Sequence, residues 1–188
     1  MFPLGHVTVA CGIVWVGANA IDRARGLPRA PVSVSDRTSF AHHPQRIASA
    51  VDYRLVALGG LLPDLVDKPL GGIVFRGFFD GNGHLIGHTL LFALLILLPG
   101  LYLWQRARDP RLAAVGVADL SHLLVDPVNH SPGTFFWPLL GTDFPEVTFL
   151  GTKLTVLEES IAAVLILGVA YALYRGRRLQ QFVLTGRL

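Results

Sequence analysis

Two long apolar stretches constrain the fold of this chain more than any other feature. Residues 85–104 read LIGHTLLFALLILLPGLYLW, and residues 155–174 read TVLEESIAAVLILGVAYALY. A helix that crosses a bilayer needs ~20 mostly apolar residues, and both stretches reach that length. Charged residues make up only 15% of the 188 residues, whereas a soluble domain usually carries ~25%. We therefore expect an all-α membrane protein.

Three further segments are apolar but interrupted by polar groups: residues 2–20, 47–66 and 112–128. The second is the weakest, because Asp52 and Arg54 shorten its apolar part. Together the five segments predict a polytopic bundle of about five transmembrane helices. We expect one membrane-embedded domain over residues 1–188, with a polar, proline-containing cytoplasmic loop at about residues 22–46.

The distribution of basic residues predicts the orientation of this bundle. With five spans and the N-terminus outside, only Lys68, Arg76 and Lys153 fall on the outer side. All other basic residues fall on the cytoplasmic side: Arg23, Arg25, Arg29, Arg37, Arg46, Arg54, Arg106, Arg108, Arg111, Arg175, Arg177, Arg178 and Arg187. Cytoplasmic loops of membrane proteins are enriched in Lys and Arg, so the count favours an N-out, C-in protein in the cell membrane.

The arginine clusters need no partner other than the membrane. They set orientation and meet anionic lipid, so we expect membrane lipids and no nucleic acid as partners. The single cysteine, Cys11, excludes an intramolecular disulfide and a thiolate metal cluster. The sequence leaves the oligomeric state open.

The predicted topology gathers imidazole and carboxylate groups at the outer face. They come from segments far apart in sequence: His6, Asp64, Asp67, His84, His88, His122, Asp126, Glu158 and Glu159. In the stretch DLSHLLVD, His122 and Asp126 are four residues apart and therefore share a helix face. A charged residue near a membrane-helix centre costs ~2.5–3.5 kcal/mol on insertion scales, and such residues usually face the bundle interior.

A bound cation would offset that cost for several carboxylates at once. Imidazole and carboxylate together suit zinc, which we favour, or manganese or iron. The expected ligands are His6, Asp64, His88, His122 and Asp126. Asp67 and Glu158 are the candidates for a general base, which must exchange a proton with the reacting group.

Most of these residues also have a simpler interpretation. His6 could be an interfacial histidine, Asp64 could belong to a turn signal in LPD, and Asp67 could pair with Lys68 at the surface. Glu158 fits a capping box that begins three residues earlier. His84 is better explained as a loop residue, and Asp119 as a supporting or helix-packing residue. His130 is expected in an outer loop near the site.

The order of the motifs resembles a known family. The matching residues are His6, GGLLPDLVD at 59–67, HTLL at 88–91 and SHLLVD at 121–126, so the resemblance covers roughly residues 3–138. These motifs are similar to those of prokaryotic integral-membrane metal-dependent hydrolases, the LexA-regulated inner-membrane family, which resembles zinc-dependent phospholipase C distantly. The resemblance implies that His122 and Asp126 are a metal-binding pair, completed by His6, Asp64 and His88.

Two functions of different classes follow. The first is a membrane-embedded hydrolase that uses divalent metal to cleave a phosphoester of a lipid or lipid-linked substrate at the extracytoplasmic interface. The alternative is a non-enzymatic membrane protein, with a structural metal site or with a metal or proton transport path. The inner halves of the third and fifth segments contain no ionisable group except tyrosine, which favours a one-sided site over a transport path.

Overall fold

Helices account for all the regular secondary structure in the described part of the chain. The computed structural model describes residues 3–27, 46–75, 77, 83–126, 131–145 and 152–187. Its helices are α1 (Pro3–Ala24), α2 (Ile47–Ala50), α3 (Tyr53–Pro69), α4 (Leu90–Ala107), α5 (Arg111–Val125), α6 (Pro132–Phe135), α7 (Thr152–Arg175) and α8 (Leu179–Thr185). A π-helical turn, Leu70–Val74, follows α3, and a 3-10 turn, Ile86–His88, precedes α4. The all-α prediction is therefore confirmed.

Among the described residues, three helices, rather than the five expected, are long and apolar enough to cross a membrane. They are Pro3–Ala24, Leu90–Ala107 and Val156–Arg175. The other two predicted spans do form helices, α3 and α5, but these have only 17 and 15 residues. At 1.5 Å per residue α5 is ~22 Å long, shorter than the ~30 Å hydrocarbon core. Within the described part of the chain, these two helices carry five of the eleven buried polar side chains.

Local capping explains where the segments begin and end. Asp22 on α1 accepts hydrogen bonds from the backbone N–H groups of Ile47 and Ala48 at 2.9 and 3.1 Å, and so begins α2. Asp52 caps α3, because its side chain accepts from the Arg54 N–H at 3.0 Å. The second segment is thus divided into α2 and α3. Most of the predicted cytoplasmic loop, residues 28–45, lies outside the described residues.

Paired glycines place α3 close to two neighbours at once. A Cβ at Gly59 would lie 2.7 Å from the Val115 carbonyl oxygen of α5, and one at Gly60 would lie 2.8 Å from the Ala10 Cβ of α1. Only glycine tolerates both approaches, and small residues are the usual contact between membrane helices. Helices α1, α3 and α5 therefore form a tight three-helix core.

The two ends of the bundle differ in chemistry. At one end the N-terminal part of α1 meets the C-terminal parts of α3 and α5, because His122 contacts both His6 and Gly60. At the other end Arg54 donates to the carbonyl oxygens of Val183 and Leu184, which brings α8 to the start of α3. The arginines that follow α1, α4 and α7 also lie at helix ends remote from His122. The four described histidines thus lie at the opposite end from most of the described arginines, whereas Asp22, Asp52 and Asp109 pair with arginines at the arginine end.

Candidate metal centre

The ring of His88 is held by a buried carboxylate. His88 ends the 3-10 turn before α4, and its Nδ1 lies 2.7 Å from Oδ2 of Asp67. Asp67 also accepts the backbone N–H groups of Leu85, Gly87 and His88 at 2.6, 2.8 and 3.0 Å. Because the carboxylate accepts, Nδ1 of His88 carries the proton. The lone pair of His88 is therefore on Nε2, which points into the cluster.

His122 on α5 is oriented in the same way by a backbone carbonyl. Its Nδ1 lies 2.7 Å from the Gly60 oxygen, which can only accept a hydrogen bond. The His122 lone pair is therefore also on Nε2. That atom lies 3.3 Å from Nε2 of His88. Two acceptors that face each other at this distance repel unless a proton or a cation lies between them.

The distance between the two nitrogens fits a shared metal ion. Zinc binds histidine nitrogen at ~2.0–2.1 Å in tetrahedral geometry, which places two such nitrogens ~3.3–3.4 Å apart. The hydrogen bonds to Asp67 and to the Gly60 carbonyl match the outer-shell contacts of metal-bound histidine, which fix tautomer and ring orientation. The donor set present thus fits a divalent ion.

Two carboxylates approach the same point. Oδ1 of Asp64 lies 3.6 Å from Nε2 of His88, while its Oδ2 pairs with Nζ of Lys68 at 2.6 Å. Oδ2 of Asp126 lies 3.9 Å from Nε2 of both His88 and His122. One oxygen of each carboxylate therefore faces the paired imidazoles.

His6 closes the cluster from α1. Its ring stacks on that of His122, with centroids 3.8 Å apart, and it is only 2% exposed. Neither ring nitrogen has a hydrogen-bond partner within the described part of the protein. Buried polar groups are rarely left unpaired, because desolvation is then uncompensated. His6 therefore offers a free nitrogen to a ligand.

The possible ligand atoms of the described residues form three overlapping groups. Within each group the atoms lie within 4.8 Å of one another. The groups are His6, His122 and Asp126; Asp64, His88 and His122; and His84, His88 and Asp126. All five predicted ligands thus meet at one end of the bundle, although their binding of a metal stays a prediction.

Asp67 and Glu158, the two predicted general bases, are placed differently. Asp67 is 0% exposed and its oxygens already accept four hydrogen bonds. That placement suits a residue that orients His88 rather than one that takes a proton from substrate. Glu158 is half-buried on α7 and belongs to none of the three ligand groups. The catalytic roles of both stay predictions that these contacts do not support.

Glu159, the neighbour of Glu158 on α7, has a clearer structural role than Glu158. The Glu159 carboxylate accepts the backbone N–H groups of Leu4 and Gly5 at 3.1 and 2.8 Å. These are the free amides of the first turn of α1, where a negative charge is stabilising. Glu159 therefore anchors α7 to α1 directly beside His6.

His84, which the sequence interpretation assigned to a loop, precedes the 3-10 turn and also lies beside the cluster. Its Nε2 lies 3.6 Å from Oδ2 of Asp126, and its ring is 4.4 Å from that of His88. The spacing of His84 and His88 in GHLIGH was the sequence signal for its place near the cluster.

Asp119, which the sequence analysis treated as a supporting or helix-packing residue, is fully buried, and its oxygens have no hydrogen-bond partner among the described residues. His130 lies outside the described residues.

Comparison with known proteins identifies the family. No curated protein and no solved structure gives a significant match. The family model described as YdjM inner membrane protein matches residues 1–185. That match covers nearly the whole chain and agrees with its apolar helices. The chain therefore belongs to the YdjM inner membrane protein family.

Proposed function

We propose that this protein is a membrane-embedded hydrolase that depends on a divalent metal ion. Its substrate would be a phosphoester of a lipid or lipid-linked molecule at the extracytoplasmic surface. The observation that carries the proposal is the 3.3 Å separation of the His88 and His122 Nε2 atoms, whose Nδ1 atoms both bond to acceptors. That arrangement presents two converging lone pairs inside a membrane protein.

Zinc is the favoured ion, and manganese or iron also suits imidazole and carboxylate ligands. When bound, such an ion would polarise a phosphoryl oxygen and make water more acidic. Asp67 and the Gly60 carbonyl hold the two imidazoles in the ligating orientation. Asp64, Asp126 and His6 would complete the ligand set.

Two residues at the mouth of the cluster could handle charge and protons. The Lys68 side chain is 52% exposed beside Asp64, so it can meet the negative charge of a phosphoester. The His84 side chain is 16% exposed, whereas those of His88 and His122 are 0% exposed. His84, paired with Asp126, is therefore the imidazole best placed to exchange a proton with solvent.

The arginine distribution supports placing this site on the extracytoplasmic side. Most of the described arginines lie at the ends of α1, α4 and α7 that are remote from the cluster. By the positive-inside tendency that end is cytoplasmic, which leaves the cluster outside. In this arrangement α3 and α5, which both pack against α1, are two short spans, which gives the five-span, N-out, C-in topology.

A structural metal site and a transporter are the alternatives. Within α4, residues 90–104 contain no ionisable side chain except Tyr102. Within α7, residues 160–174 contain only Tyr171 and Tyr174. A transport path requires polar groups across the membrane, so these two helices favour a one-sided site.

Metal analysis of the purified protein tests the proposal. We expect about one or more equivalents of zinc in the wild type and much less in His122→Ala and Asp126→Ala. His43→Ala, which removes a histidine of the predicted cytoplasmic loop, is the matched control and should retain the metal. The same negligible metal in all four proteins would refute metal dependence. If metal binds, cleavage of a phosphodiester by wild type but not by His122→Ala separates an enzyme from a structural site.

A further inference from the structure

An apolar groove lies beside the metal centre. Its volume is about 320 Å³, and its walls are Leu90, Leu91 and Leu94 of α4 and residues 136–139 after α6. All seven lining side chains are apolar: three leucines on one side, and Phe, Trp, Pro and Leu on the other. A groove of this size lies at the lower end of the ~300–1,000 Å³ typical of small-molecule sites. The apolar lining favours a hydrocarbon group as the ligand.

The groove and the metal centre share a wall. Leu90 follows His88 by two residues, and consecutive Cα atoms are ~3.8 Å apart, so the groove begins within ~8 Å of the His88 backbone. Helix α6, which leads into residues 136–139, packs against the 3-10 turn that carries His88. One local structure therefore supports both the polar cluster and the apolar groove.

The groove is open at the surface of the protein, beside a helix that can cross a membrane. Leu91 and Leu139 on its two sides are 41% and 83% exposed, and α4 is one of the helices that can cross a membrane. The one side-chain donor among the seven lining residues, the Trp137 indole N–H, bonds to the Thr142 carbonyl oxygen at 3.2 Å. A hydrocarbon chain can therefore enter sideways from the membrane without leaving a lining polar group unpaired.

We infer that this groove binds an acyl chain of a membrane phospholipid whose phosphate reaches the metal centre. The inference rests on the proposed function and names its substrate class. Lys68 and His84 at the mouth suit the anionic headgroup, and the leucines beyond His88 suit the chain. A water-soluble phosphoester would leave the groove without an occupant.

Cross-linking of a lipid probe tests the groove without requiring hydrolysis. The protein is placed in phosphatidylglycerol nanodiscs that contain a phosphatidylglycerol with a photoreactive diazirine on one acyl chain. Cross-linked peptides are then identified by mass spectrometry. We expect cross-links at residues 136–139 to exceed those at Leu167, a lipid-exposed residue of α7, because a bound chain stays longer than bulk lipid. Equal labelling of both would mean that bulk lipid alone covers the groove, and would overturn the inference.

Two variants and one control sharpen this test. Leu94→Trp fills the groove, and Leu139→Asp places a charge on an exposed rim position that does not burden the core. Each should lower groove labelling roughly tenfold, because a clash in the groove, or a charge at its rim that the hydrocarbon would have to desolvate, opposes binding of the chain. Leu95→Trp, at an exposed position outside the lining, should change nothing. Unchanged labelling in both groove variants would also overturn the inference.

Failure of the groove and failure of the hydrolase give different results. Suppose that the groove is labelled in both the wild type and His122→Ala but that neither protein hydrolyses lipid. That result would support the lipid site and refute the enzyme. Metal-dependent hydrolysis of phosphatidylglycerol that Leu94→Trp and Leu139→Asp leave unchanged would support the enzyme and refute the groove.

Discussion

At the scale of single residues, the candidate metal centre is defined by which ring nitrogen of each histidine already makes a hydrogen bond within the protein. Asp67 uses Nδ1 of His88 and the Gly60 carbonyl uses Nδ1 of His122. Both Nε2 atoms are left with lone pairs that face one another. His6 differs, since neither of its nitrogens has a partner among the described residues. A buried polar group of this kind is unfavourable until a ligand satisfies it.

His6→Leu should therefore have opposite effects with and without metal. In a chelator the variant should be as stable as the wild type or more stable by ~1 kcal/mol, because it removes an unpaired buried group of similar size. In excess zinc the wild type should gain stability and the variant much less. Thermal unfolding in detergent, with and without zinc, measures both effects. A variant that is less stable in chelator and still gains fully from zinc would show that His6 is not a ligand.

At the scale of helices, close approach of backbones places the ligands within reach of one another. Gly59 and Gly60 bring α3 against α5 and α1, and Gly116 does the same between α5 and α4. A Cβ at Gly116 would lie 2.6 Å from the Cα of Leu97, so the two helices would have to separate. His122, two turns along α5, would then move relative to His88.

Gly116→Ala should lower both stability and metal affinity. Overpacking of this kind usually costs ~1–3 kcal/mol. Gly168→Ala on α7 is the matched control, since a Cβ there has nothing within 4 Å. Reaction of Cys11, the single cysteine, with a thiol-reactive dye during heating reports unfolding of both variants. Equal melting of the two variants would show that α4 and α5 can separate at little cost.

At the scale of the whole molecule, one end carries the histidine and carboxylate cluster and the other carries arginines and α8. The Arg54 hydrogen bonds to Val183 and Leu184, and that of the Tyr53 N–H to the Gly186 oxygen at 2.8 Å, hold the C-terminal helix at the arginine end. The positions of these two ends relative to the membrane decide which compartment supplies the substrate.

Labelling with a membrane-impermeant maleimide tests the orientation. In a Cys11→Ala background, Ser131→Cys lies near the cluster end, and Arg187→Cys lies at the arginine end. We expect Ser131→Cys to react in spheroplasts, whose inner membrane is intact. Arg187→Cys should react only after lysis, because arginine-rich ends of membrane helices usually face the cytoplasm. The reverse pattern would place the cluster on the cytoplasmic side and exclude the proposed extracytoplasmic substrate.

The sequence by itself determined the elements of this protein. Segment length and hydropathy predicted five helical segments, and each contains a helix, because backbone groups in an apolar environment must bond within the helix. The second is divided into α2 and α3, and three of the described helices are long and apolar enough to span a membrane. The same chemistry predicted which residues gather, since ionisable groups in apolar helices must face one another or the bundle interior. His122 and Asp126 could be paired from their spacing alone.

Only the tertiary structure decided what each polar residue does. Asp67 and Asp64 are three residues apart on one helix, yet only Asp67 meets the backbone amides of the turn before α4. Glu158 and Glu159 are neighbours, yet only Glu159 reaches the first amides of α1. His84 joins the cluster because the segment before the 3-10 turn lies beside Asp126. Each difference depends on where a distant segment packs, and local spacing carries no information about that.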